Sequence, residues 1–91
     1  MAEAWHLSVA PHDCTGPVVY MASTHLSLNA SNALLQESVR AFYQGWYQEV
    51  VTALPNMKDG FLTVPDFPGL GCELLPDIDQ RFSVTRRVSS I

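Results

Sequence analysis

The tripeptide Thr15-Gly16-Pro17 constrains this chain more than any other feature, because it stops one element and starts the next. Proline has a φ preset for a first helical turn, and the threonine before it offers a hydroxyl for capping. A helix is therefore expected from Pro17. Val18, Ala22 and Leu26 recur every four residues, with Val19 and Met21 widening the stripe. That spacing predicts about three turns packed on one face before Asn29-Ala30-Ser31-Asn32 ends them.

Short apolar runs flank this helix. Residues 6–10 (HLSVA) read as a strand closed by Pro11, which cannot donate to a ladder and holds Ala10 extended. Residues 33–36 (ALLQ) read as a strand buried on both faces, and two such strands joined by one helix form a right-handed βαβ unit. Ahead of them, residues 1–5 have the composition of the last turn of a helix.

Beyond Glu37 the pattern changes. Val39, Phe42, Tyr43, Trp46 and Tyr47 crowd together, and the stretch to Val51 reads as one or two short helices broken at Gly45. Pro55-Asn56 ends it, and Lys58-Asp59-Gly60 is a turn feeding a strand over 61–64. Residues 65–74, with two prolines and Gly69 and Gly71, read as an ordered loop, and 76–82 as a final helical turn. The tail, 83–91, is polar and basic and expected to be loose. Two parts follow: 1–54, the βαβ unit with its aromatic extension, and 55–91, a closing segment around the PGLG loop.

Composition says what kind of whole this belongs to. Only 15% of the 91 residues are charged and 47% are hydrophobic, although a small domain needs more charge than the usual share of about 25%. The chain reads as a piece of a larger α/β protein. A net charge of −4 argues against a nucleic-acid partner. No basic residue precedes Arg40, so no secretory or organelle leader is expected, and no apolar run approaches the ~20 residues of a membrane span. A soluble, cytoplasmic protein without a membrane partner is the expectation. Cys14 and Cys72 have no CxxC or His/Cys spacing around them, so neither a disulfide scaffold nor a zinc site is expected.

The candidate chemistry sits at the two strand ends. His12 lies just past the carboxyl end of the first predicted strand and Glu37 just past that of the second. In parallel α/β sheets and barrels those ends point to one rim, so side chains distant in sequence converge there. Histidine suits general-base work near neutral pH, and a glutamic acid kept protonated can donate a hydrogen bond to a developing oxyanion. The plain alternative is that His12 is a turn residue after a proline. His6 and His25 read as structural, Asp13 as a cap or turn residue, and Cys14 as a packed or partly exposed thiol. Gly69-x-Gly71 is too short for a dinucleotide fingerprint, and the aromatic cluster, with so little positive charge near it, reads as core.

Three blocks in order carry a resemblance: VAPHDCTGP over 9–17, NALLQE over 32–37, and Asp59-Gly60 followed by PGLGCE over 68–73. They resemble the carboxyl-terminal part of the mandelate racemase/muconate lactonizing enzyme branch of the enolase superfamily, and within it the galactonate dehydratase-like sugar-acid dehydratases. The resemblance implies a modified (β/α)8 TIM barrel, of which this chain supplies the last two strands, the helix between them and the C-terminal tail. It implies His12 as the base that removes the proton beside a substrate carboxylate, and Glu37 as the donor to that carboxylate as it becomes an enediolate. It further implies a small-molecule sugar acid as substrate, a homo-oligomeric whole enzyme, and Mg2+ on carboxylates absent from this chain, so that the chain alone is inactive. Racemase chemistry within the superfamily, or a non-catalytic remnant or binding module, are the competing expectations.

Overall fold

Helix α1 forms where the proline predicts it, over Pro17–Asn29, in a computed structural model that describes residues 1–90. Ile91, the end of the expected loose tail, lies outside the described residues. The Thr15 hydroxyl expected to cap α1 does not: the N-cap is Gly16 and no side chain caps the helix. Of the expected stripe only Met21 is buried. Pro17, Tyr20, Met21 and Thr24 point inward, whereas Val18, Ala22 and Leu26 are exposed. Both sets are spaced for one helical face; the row that is buried is the one that meets the aromatic segment.

The two predicted parallel strands pair in the expected direction but shrink to one parallel bridge, Val9 with Ala33. The Val9 N–H donates to Asn32 O and the Leu34 N–H to Val9 O, both at 2.9 Å. The next rung would need an N–H at residue 11, and Pro11 has none. Two polar side chains bond where the ladder fails. Asn32 Nδ2 donates to Leu7 O at 2.8 Å on one side of the bridge, and Gln36 Nε2 to Pro11 O at 3.1 Å on the other. The Glu37 N–H also donates to Pro11 O, at 3.0 Å. Residues 7–11 and 32–37 thus run side by side without becoming regular strands.

The aromatic stretch divides at Gly45 as expected, into helix α2 at Arg40–Tyr43 and a 3₁₀ turn at Trp46–Glu49. Gly45 is required there: a Cβ would come within 2.6 Å of the Ala41 carbonyl oxygen. This segment supplies half the core. Tyr20 and Met21 of α1 are buried with Tyr47 and Val51, joined by Thr24, whose hydroxyl bonds back to Tyr20 O at 2.7 Å, and by Asp13. Tyr20 stacks on Tyr43 with ring centres 6.0 Å apart, and Trp46 meets Tyr47 edge-on at 4.6 Å.

The strand expected over 61–64 is one arm of a hairpin whose other arm follows Pro55 directly. Strands β1 (Asn56–Lys58) and β2 (Phe61–Thr63) pair antiparallel, with Met57 opposite Leu62. Asp59 at φ 51° and Gly60 at φ 82° make the turn, whose left-handed central residues match the twist of a two-residue hairpin. This antiparallel hairpin is the one regular sheet among the described residues; the parallel pair expected of residues 6–10 and 33–36 is present only as the single Val9–Ala33 bridge.

The 65–74 loop returns to the body through a second bridge, Val51 with Leu74, and the Thr52 N–H donates to Glu73 O at 2.9 Å. His25, structural as expected, bonds through Nε2 to Leu70 O at 3.0 Å and ties the loop to α1. A last short helix, α3, spans Ile78–Arg81, and residues 83–90 are exposed without regular structure. No helix among the described residues is long and apolar enough to cross a membrane.

Candidate active site

The parallel register of residues 7–11 against 32–37 carries His12 and Glu37 to the same end of the pair. Their side chains touch, His12 Nδ1 to Glu37 Oε2. The opposite ring nitrogen, Nε2, lies 3.0 Å from Cys14 Sγ. Imidazole is therefore held from both sides, by a carboxylate and by a thiol. A proton on Nδ1 that serves the carboxylate leaves the Nε2 lone pair facing Cys14.

Both members of the pair are open to solvent, His12 at 66% and Glu37 at 51% side-chain exposure. A side-chain contact this open to water contributes little to stability. Its geometry comes from the backbone beneath it, and there Gln36 is the organising residue. Its Oε1 accepts from the Ser27 hydroxyl of α1 at 2.9 Å, while Nε2 donates to Pro11 O and to Glu37 O, the latter at 2.7 Å. One amide thus joins the helix, the His12 loop and the Glu37 segment. In the sequence Gln36 is only the last residue of a predicted strand, and nothing in its spacing marks it as a bridge.

Beneath His12, Asp13 is fully buried. Its carboxylate accepts from the Tyr47 hydroxyl, 3.1 and 3.3 Å to its two oxygens. Burial raises the Asp13 carboxyl above its usual range, opposed by the Tyr47 hydrogen bond, the His12 charge and the Gly16 amide. The same burial, with the Asp13 charge beside it, pushes the Tyr47 hydroxyl up to about 12. Asp13 is therefore more than a cap or turn residue: it anchors the His12 loop to the core. Cys14 and Cys72 are both free; Cys14 is exposed, and burial raises the Cys72 thiol. Among the described residues no three His, Cys, Asp or Glu side chains cluster closely enough to hold a metal ion.

The sequence profile of the Enolase C-terminal domain-like family matches residues 1–78. The chain belongs to that family. Within the superfamily its relatives fall in the mandelate racemase branch. An enolase of the mandelate racemase subgroup from Agrobacterium tumefaciens, solved with a succinimide residue, sodium and phosphate, superposes with a TM-score of 0.85 at 69% identity, over 96% of this chain and 24% of that one. An enolase from Sargasso Sea environmental sequencing superposes at 0.77 with 44% identity, over 87% of this chain and 20% of that one. Among curated proteins, D-galactonate dehydratase of Ralstonia nicotianae is 32% identical over 99% of this chain and 24% of its own length. D-xylonate dehydratase of Haloferax volcanii is 29% identical over 87% of this chain and 18% of its own. This enolase-family chain thus spans about a quarter of the first of these relatives, and membership implies a TIM-barrel-containing α/β protein.

Proposed function

We propose that these residues are the closing part of a cytoplasmic, Mg2+-dependent acid-sugar dehydratase barrel, in which His12 removes the proton beside the substrate carboxylate and Glu37 steadies the enediolate. The observation that carries the reading is the meeting of His12 and Glu37 at one end of two parallel segments. Relatives named D-galactonate and D-xylonate dehydratase support the substrate class.

The contact lets both residues act at once. With Nδ1–H donating to Glu37 Oε2, the Nε2 lone pair of His12 is the base, and the proton it takes leaves an imidazolium beside the same carboxyl group. A neutral Glu37 carrying its proton on Oε1 donates from that oxygen to the substrate carboxylate while Oε2 still accepts from His12. The α-proton of a carboxylate is too weakly acidic for an unaided imidazole, so donors placed where charge develops are part of the reaction. Mg2+ in this proposal belongs to the whole barrel, and none of its ligands is assigned to these residues.

The test is His12→Asn and Glu37→Gln in the complete enzyme that carries this sequence, assayed on D-galactonate and D-xylonate. His12→Asn is expected to lower turnover on the order of 10²–10⁴-fold with folding intact, and to abolish exchange of the substrate α-hydrogen with solvent deuterium. Undiminished exchange in a folded His12→Asn enzyme refutes the role of His12.

A further inference from the structure

The dehydratase reading uses His12 and Glu37 and leaves the sulfur beside them without a task. Cys14 Sγ is 3.0 Å from His12 Nε2, and Glu37 Oε2 holds Nδ1 on the other side of the ring. Sulfur, imidazole and carboxylate therefore stand in series. That is the order in which protein nucleophiles are activated: a base within hydrogen-bond reach of the nucleophile, itself oriented by a third group. The Glu37 oxygen matters because, as an acceptor in either protonation state, it commits Nδ1 to donating, which leaves Nε2 as the acceptor facing the thiol. Cys14 is also exposed, so a small electrophile can reach it.

We propose that Cys14 is a nucleophilic thiol driven by His12 and oriented through Glu37, and hence a covalent-modification site for small carbon electrophiles such as α-halocarbonyl compounds. In the step, the sulfur lone pair attacks the carbon next to the carbonyl as His12 Nε2 takes the S–H proton. An S–C bond forms, the carbon–halogen bond breaks, the halide leaves with its electron pair, and the imidazolium passes its proton to water. Nothing is oxidised or reduced.

The chain carries its own comparison. Cys72 is free and partly buried, burial raises its thiol, and among the described residues no imidazole is hydrogen-bonded to it. The inference does not rest on the dehydratase reading, since it needs neither sugar acid nor metal. Where both hold, a group attached to Cys14 occupies the Nε2 side of the base and stops turnover.

The experiment treats the 91-residue chain with limiting iodoacetamide at pH 7 and follows alkylation of Cys14 and Cys72 separately by peptide mass spectrometry, in buffer and in urea. Cys14 is expected to react faster in the folded chain than in urea, on the order of tenfold from a larger thiolate fraction partly offset by lower nucleophilicity, while Cys72 reacts more slowly folded than unfolded. His12→Gln is expected to bring Cys14 down to its rate in urea and leave Cys72 unchanged, with circular dichroism reporting the fold. Equal or slower reaction of Cys14 in the folded wild-type chain overturns the proposal whatever the variant does. So does a folded His12→Gln chain that keeps the fast rate.

Discussion

Two tyrosines in the core use their hydroxyls in opposite ways. Tyr20 and Tyr47 lie with ring centres 6.2 Å apart. Tyr47 donates to the buried Asp13 carboxylate, whereas among the described residues the buried Tyr20 hydroxyl has no partner at normal hydrogen-bond geometry, Ser38 lying only near enough to favour its ionised form slightly. Removing a donor from a buried carboxylate costs about 1–3 kcal/mol, while removing an unpaired hydroxyl can stabilise. Tyr47→Phe is thus expected to lower unfolding free energy by about 1–3 kcal/mol and Tyr20→Phe to leave it equal or higher, both read by urea denaturation. A Tyr20→Phe loss as large as that of Tyr47→Phe would contradict this. The pH dependence has a definite sign. With its hydroxyl pushed from the ordinary 10.0 up to about 12, folded Tyr47 keeps a proton that the unfolded chain releases. That stabilisation is complete below pH 10 and is lost as pH rises from there through about 12, a decline that Tyr47→Phe should flatten in denaturation curves taken across the range. A core role for Tyr47 is legible from its aromatic neighbours. Its bond to Asp13, 34 positions away, is not, because nothing local joins the two.

At the scale of elements, the parallel pair is held as much by amides as by ladder. Gln36→Glu keeps the shape of the side chain but turns two donated bonds into oxygen facing oxygen at Pro11 O and Glu37 O. The expected loss is about 1–3 kcal/mol, with faster hydrogen exchange at the Leu34 and Glu37 amides, which span the junction. Unchanged exchange at both would show that Gln36 is not the bridge. Helix α1, the break at Gly45 and the Asp59-Gly60 turn are readable from sequence because each rests on local backbone chemistry: a first-turn proline, a missing Cβ and left-handed turn residues. Strand β1 is not, since three residues, Asn56-Met57-Lys58, with a single apolar one are too few to display a period, and they pair only because the turn brings β2 back along them.

The molecule as a whole is open. It exposes 7062 Å², where a compact monomer of 10.1 kDa exposes about 5,300 Å². Its radius of gyration, 14.8 Å, exceeds the ~12 Å of a compact chain this long. Large apolar side chains are part of that surface: Leu34 at 72% and Phe61 at 76% exposure stand in water with Leu26, Leu28 and Leu35. Patches of that kind drive association. Sedimentation of the isolated chain is expected to show mass rising with concentration, and a monomer throughout would contradict it. Titration of the isolated chain with Mg2+ is expected to give no stoichiometric binding heat, since no cluster of ligating side chains exists among the described residues. A tight site of one ion per chain would show that ligands assemble in a way this fold does not display.

By itself the sequence determined the three-turn helix, the broken aromatic segment, the tight turn and the family, because each depends on neighbours along the chain or on the order of short motifs. Only the tertiary structure decided which side of α1 is buried, that Pro11 reduces a strand pair to one bridge propped by Asn32 and Gln36, and that His12 sits between Glu37 and Cys14. Those outcomes depend on groups that meet through space, where a missing N–H or a well-placed amide outweighs local preference.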